Sequence, residues 1–136
     1  MKTTYIDSNY WIYWFDERLP EHKYVDRIMQ ETIRKGVVVN AVTIMEVAHY
    51  FRNLSKGEFV ERIEIILGLS TLKVVDFTLE ILKRALSFVP QYSQFGLGAR
   101  DCVIIATMEA VDVDKLLSHD MGFRKIRSIT VADEIE

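Results

Sequence analysis

The sequence predicts an α/β domain built on a mainly parallel sheet with right-handed crossovers. Three observations lead there. Val37-Val38-Val39 is a continuous β-branched run of the kind buried on both faces of a parallel sheet. Segments of helical periodicity alternate with short β-prone runs along the chain. Residues 100–111 are apolar nearly all round, as befits a helix packed against a sheet.

The elements follow in order. Residues 3–6 form the first β-prone run, and Asp7 after it can cap a helix beginning near Asn9. Pro20 opens a helix whose apolar stripe is Val25, Ile28, Met29 and Thr32, with Gly36 placed to close it. Beyond the valines, Ile44, Val47, Ala48 and Phe51 make a second stripe, and Thr43-Ile44-Met45-Glu46 reads as a capping box. Phe59, Ile63 and Leu67 suggest a third helix, followed by a strand over 73–75. Thr78 can cap a fourth helix running through Leu82, Ala85, Leu86 and Val89. Strands over 115–118 and 128–131 complete the sheet. With no repeat, low-complexity tract or linker, residues 1–136 read as one domain.

Composition narrows the function classes. At 49% hydrophobic and 27% charged residues, the chain is neither disordered nor collagen-like. Cys102 is the single cysteine and no Cys/His spacing resembles a zinc site, so the expected compartment is reducing and cytoplasmic. Neither a signal peptide nor a membrane span is expected. The formal charge of −3 argues against a general nucleic-acid coat. Sequestering four carboxylates around cations would leave the rest of the chain near +1, which suits a phosphate-bearing substrate.

Ligands of open parallel sheets bind beyond the carboxyl ends of the strands. Asp7 follows the first strand, Asp120 follows the strand over 115–118, and Glu46 is expected in the first helical turn after Val39. Asp101 starts the buried helix on a stripe with Ile104, Ile105 and Met108, where an ionised group needs a partner. Each acid taken singly has a plain explanation: a helix cap for Asp7 and Asp101, the capping box for Glu46, an Asx turn at Met121-Gly122 for Asp120. Converging carboxylates nevertheless repel unless a cation or shared proton neutralises them. Oxygen-only ligation suits Mg²⁺ or Mn²⁺. By contrast, Asp112 and Asp114 precede their strand and fall at the opposite edge, while Asp76 follows a strand expected at the border.

The segments Tyr5-Ile6-Asp7-Ser8-Asn9, Thr43-Ile44-Met45-Glu46, Arg100-Asp101-Cys102-Val103-Ile104-Ile105-Ala106-Thr107 and Leu116-Leu117-Ser118-His119-Asp120-Met121-Gly122-Phe123 together resemble the PIN-domain family, whose small members include VapC-type toxins of toxin-antitoxin pairs. The resemblance spans the whole chain in order and spacing. It implies a five-stranded parallel sheet in order 3-2-1-4-5 flanked by helices, and Mg²⁺- or Mn²⁺-dependent endonucleolytic cleavage of RNA. It also implies a small VapB-like antitoxin as partner. By position, Asp7, Glu46, Asp101 and Asp120 take the family's acidic places as metal ligands and catalytic groups, with Asn9 and Ser118 supporting them.

Arg124, Lys125 and Arg127 follow Asp120 closely enough to meet substrate phosphates, or they are simply solvated. The run Tyr10-Trp11-Ile12-Tyr13-Trp14-Phe15 is dense enough to suggest a homodimer interface, with base stacking a lesser possibility. His22, His49 and His119 share no metal or triad spacing and read as surface residues. Two other classes compete: a non-catalytic α/β interaction module, and a receiver-like phosphorelay domain using Asp76 with Ser118 and Lys125. The receiver requires two acids ending its first strand, whereas Asp7 is followed by Ser8-Asn9. No glycine-rich phosphate loop supports a nucleotide-binding enzyme.

Overall fold

Parallel pairing starts from β1 (Thr4–Ile6), every residue of which is buried. The computed structural model describes residues 2–136. β1 lies between β2 (Val37–Asn40) and β4 (Lys115–Leu117), which in turn pair with β3 (Leu72–Val75) and β5 (Thr130–Ala132). All four pairings are parallel, in order β3-β2-β1-β4-β5. Around the sheet run α1 (Ser8–Phe15), α2 (His22–Lys35), α3 (Ala41–Tyr50), α4 (Lys56–Leu67), α5 (Leu79–Tyr92) and α6 (Ala99–Ala110). Two 3₁₀ turns, Ser93–Phe95 and Met121–Lys125, complete the secondary structure.

The valines of β2 are buried together with Asn40, as layers of helix on both faces of a parallel sheet require. α6 is buried continuously from Cys102 to Met108, which explains its lack of an apolar stripe. α2 turns Val25, Met29 and Thr32 inward and ends at Gly36, whose φ of 128° is open to glycine without strain. Among the described residues no helix is long and apolar enough to cross a membrane.

Four details differ from the sequence expectation. α3 begins at Ala41, directly after the strand, because Asn40 caps it by accepting the Val42 N–H at 3.0 Å. Thr43 is therefore inside the helix, the expected capping box does not form, and Glu46 falls in the second turn. On α4 the buried residue is Ile66, while Leu67 is 55% exposed. On α5 the inward row is Ile81, Ala85 and Phe88, and Leu86 faces solvent. Two adjacent rows of that helix share the helical period, and the one carrying the larger Phe88 packs inward. At β5, Ile129 turns back onto the Ile126 carbonyl, so pairing starts at Thr130 rather than at Ser128.

The aromatic run is largely absorbed by the core. Tyr10 and Trp11 are fully buried, with the Trp11 Nε1–H donating to the Ile6 carbonyl at 3.1 Å, and Tyr13, Trp14 and Phe15 pack against the same core. Tyr13, Trp14 and Phe15 nevertheless remain half-exposed.

A buried polar chain ties β1, β2, α3 and α6 beneath the sheet's carboxyl edge. The Tyr5 hydroxyl accepts the Asn40 N–H at 2.9 Å and lies 2.7 Å from the Thr43 hydroxyl, while Asn40 Nδ2 donates to Thr107 Oγ1 at 3.0 Å. Asn40→Ala loses a helix cap and a buried hydrogen bond together. A loss of about 2–4 kcal/mol is expected, measured as a lower urea midpoint at unchanged m-value.

Candidate active site

At the carboxyl edge of the sheet, Asp7 follows β1 and caps α1, its Oδ1 accepting the Ser8 N–H at 2.7 Å. Its Oδ2 accepts the Ser118 hydroxyl at 2.7 Å. Ser118 is the first residue past β4 and is fully buried, and its oxygen also accepts the Asp120 N–H at 3.0 Å. One hydroxyl thus fixes Asp7 against the loop that carries Asp120. Asp120 in turn accepts the Gly122 N–H at 2.9 Å, opening the second 3₁₀ turn. Gly122 must be glycine, since a Cβ there would stand 2.7 Å from the Phe95 carbonyl oxygen. Asn9 Oδ1 accepts the His119 N–H at 3.4 Å, so both supporting residues bridge α1 and the β4 loop.

Asp101 sits in the first turn of α6, where its Oδ2 accepts the Gly98 N–H at 2.8 Å. Glu46 reaches the same edge from α3 and pairs with Arg100 at 3.6 Å. Burial pushes the Asp7 carboxyl up to about 7, overcoming its hydrogen bonds from Ser118 and Ser8, and the charges of Asp101 and Glu46 push it further. Asp101 is raised by burial, against the Gly98 N–H and with help from the charge of Asp120. Glu46 is raised by burial, with Arg100 opposing and Asp101 adding to the shift. Each of the four acids therefore lies within the field of another.

They share an edge without closing into a cage. Among the described residues, no three Asp, Glu, His or Cys side chains stand close enough to enclose an ion. Asp7, Asp101 and Asp120 each take a backbone N–H, so their capping roles coexist with the common edge. The donor set still fits a hard divalent cation. It is oxygen-only, it contains carboxyls whose charged form burial and mutual repulsion disfavour until a cation offsets them, and Mg²⁺ ordinarily keeps several waters while resting on one or two carboxylates.

The family model for the PIN domain matches residues 4–129. The chain belongs to the PIN-domain family. Among solved structures, this PIN domain is similar to VapBC2 from Rickettsia felis bound to a promoter DNA fragment. The two share 15% identity over 96% of this chain and 98% of that one, with a TM-score of 0.72. It is similar to VapC20 from Mycobacterium tuberculosis, a toxin that cleaves the sarcin-ricin loop, at 13% identity over 83% and 86% of the two chains and a TM-score of 0.72. VapBC-1 from nontypeable Haemophilus influenzae aligns at 17% identity over 96% and 97%, with a TM-score of 0.71. At these identities the likeness is one of fold. No curated protein matches the chain in sequence.

Within this PIN domain the basic residues divide. Arg124 lies 3.5 Å from Asp133, whereas Lys125 and Arg127 line a separate cavity of about 410 Å³ with Gln91, Tyr92, Gln94 and Phe95. Arg100, which sequence reasoning passed over, is the cation against Glu46, and its place beside Asp101 was the available signal. His119 is no free surface residue, since its Nδ1 lies 2.8 Å from the Asp133 carboxylate. Asp112 and Asp114 fall at the opposite edge, where Asp114 meets Lys2 at 3.8 Å. Asp76 follows the border strand β3, two strands from β1, which removes the phosphorelay geometry.

Proposed function

We propose that this PIN domain is a Mg²⁺- or Mn²⁺-dependent endoribonuclease and the toxin of a VapBC-type pair. The observation that carries the reading is the linked set of buried and half-buried acids at the carboxyl edge of β1 and β4, in a chain of this family. Asp7, Asp101 and Asp120, with Glu46, would hold the cation. A bound divalent ion supplies Lewis-acid stabilisation of charge on a phosphodiester and makes water a better nucleophile at neutral pH.

The chain's own residues set the geometry. Ser118 orients Asp7 and the Asp120 loop as one unit. Arg100 stands 71% exposed beside Glu46, placed to meet a phosphate oxygen of an incoming strand. Glu46, its carboxyl held above the ordinary carboxylate range, is the group suited to accept the proton of the attacking water. Water oxygen then bonds to phosphorus as the bond to the leaving ribose oxygen breaks, and solvent supplies that oxygen's proton.

Several neighbours are toxin-antitoxin complexes, which supports a small antitoxin as partner for this chain as well. Such a partner would cover the acidic edge with a basic side chain. The test is incubation with total RNA in Mg²⁺, Mn²⁺ or EDTA. Cutting confined to the divalent samples is expected. Cutting that persists in EDTA overturns the metal dependence, and no cutting in any sample favours a non-catalytic interaction module.

A further inference from the structure

The cavity that holds Lys125 and Arg127 is tied by both of its walls to the acidic edge. One wall carries Gln91, Tyr92, Gln94 and Phe95, and is made of the end of α5 and the 3₁₀ turn Ser93–Phe95. Just beyond Phe95, the Gly98 N–H donates to Asp101 at 2.8 Å. The other wall grows out of Asp120, whose carboxylate caps the turn Met121–Lys125. At about 2 Å per residue, those five residues carry the chain about 10 Å from the acid to the cations. The two turns pack together at Gly122, against the Phe95 carbonyl oxygen.

Aromatic rings line up along the first wall. Arg84 lies over the Phe88 ring at 4.4 Å, Phe88 meets Tyr92 at 5.4 Å between centroids, and Tyr92 stacks on Phe95 at 6.1 Å with 29° between the planes. Burial of Phe88 and the guanidinium over it close the row at that end. At the other end Phe95 is half-buried on the cavity wall, and among the described residues no further ring pairs with it. Lys125 and Arg127 are exposed, and among the described residues neither meets a carboxylate, whereas Arg124 is held by Asp133. The chain has 20 Asp and Glu against 17 Lys and Arg, yet no described carboxylate lines this cavity.

Two free cations beside an unfinished row of rings match a chain that alternates phosphates with flat bases. An acidic peptide would use the cations and leave the rings idle, whereas a single nucleic-acid strand uses both. Resting on the ribonuclease reading above, we propose that this cavity takes the RNA strand beside the cleaved bond, with phosphates on Lys125 and Arg127 and a base stacked on Phe95 as the fourth ring of the row. The strand reaches the cavity along the turn Met121–Lys125, so the base it reads belongs to a nucleotide near the cut. Gln91 and Gln94, both exposed, bring amides to the edge of that base.

The experiment takes a fluorescent single-stranded RNA oligonucleotide spanning a cut mapped in total RNA with Mn²⁺, and measures its binding by anisotropy in EDTA at several salt concentrations. Phe95→Leu should weaken binding about tenfold and leave the salt dependence unchanged, since a base has lost its stacking partner. Lys125→Gln with Arg127→Gln should weaken binding and make the slope of log K against log salt shallower by about 1.4, at about 0.7 for each phosphate on a single strand. Among copies in which one nucleotide beside the cut lacks its base, one should bind the wild type about tenfold more weakly and Phe95→Leu no more weakly than the intact strand. Lys125 and Arg127 are exposed, so their double variant carries the test alone if Phe95→Leu misfolds. Variants that bind with the affinity and salt slope of the wild type overturn the assignment of the cavity, while cutting by the wild type in Mn²⁺ leaves the ribonuclease reading standing. Variants that keep RNA binding but lose binding to polyglutamate overturn it in favour of an acidic protein segment. A wild type that cuts no RNA in Mn²⁺ overturns both readings.

Discussion

Asp101→Asn is expected to slow RNA cleavage by about a hundredfold or more while raising the melting temperature in EDTA. The two effects have one cause. The carboxylate of Asp101 faces the charges of Asp7, Glu46 and Asp120, so neutralising it should relieve repulsion in the metal-free fold and remove a ligand from the proposed cation site. The asparagine oxygen can still accept the Gly98 N–H, so the α6 cap survives the exchange. Asp101→Ala lacks that oxygen and should give back about 0.5–2 kcal/mol of the gain. Thermal melts of both variants with and without EDTA, beside cleavage rates, separate the electrostatic role from the capping role. If Asp101→Asn melts lower in EDTA and cuts normally, Asp101 is a cap and nothing more.

The second large effect is on the pH dependence of stability. With its carboxyl at about 7, folded Asp7 keeps a proton that the unfolded chain has already released, in the window between about pH 4 and pH 7. The unfolded state binds fewer protons there, so metal-free stability falls as pH rises through that window and levels off above it. Glu46 and Asp101, also raised, act in the same direction. Asp16 acts oppositely and elsewhere: the hydrogen bonds of Arg18 hold it at about 2, so its contribution is lost only as pH falls below about 4. Asp7→Asn should flatten the decline and be more stable than wild type at pH 7.5 by about 2–4 kcal/mol. Mn²⁺ at 1,000 times its Kd should cancel or reverse that ranking, because it stabilises the wild type by about 4.1 kcal/mol and finds no complete site in the variant. Urea unfolding at pH 4.5 and 7.5, with Mn²⁺ or EDTA, reads all four states.

The layout of this domain was legible where one local rule acted without competition. The valines of β2 announced a strand buried on both faces, and the apolar run of α6 announced a helix against the sheet. The edge at which Asp7, Asp101 and Asp120 gather follows from that alternation, because an acid just past a parallel strand or at the start of a buried helix has one edge to occupy. What escaped depended on contacts between distant segments. Asn40 looked like the tail of a strand, yet it caps α3 and binds Thr107, moving Glu46 into the second turn. The aromatic run suggested an interface because its density was visible, whereas the hydroxyl of Tyr10 finds Asp133 only once β5 has paired beside β4. The His119–Asp133 pair was hidden for the same reason. On α5, the choice between the Ile81 row and the Leu82 row was made by packing, which periodicity does not resolve.

The claim that these acids form one cation site is tested most directly by counting bound Mn²⁺ with electron paramagnetic resonance, in the wild type and in Asp7→Asn, Asp101→Asn and Asp120→Asn. The account predicts saturable binding to the folded wild type and a loss of affinity of about tenfold or more in each variant, since all three carboxylates belong to one site. Wild type that binds no Mn²⁺, or variants that bind it as the wild type does, would mean that the acids at this edge are separate caps with no common ion.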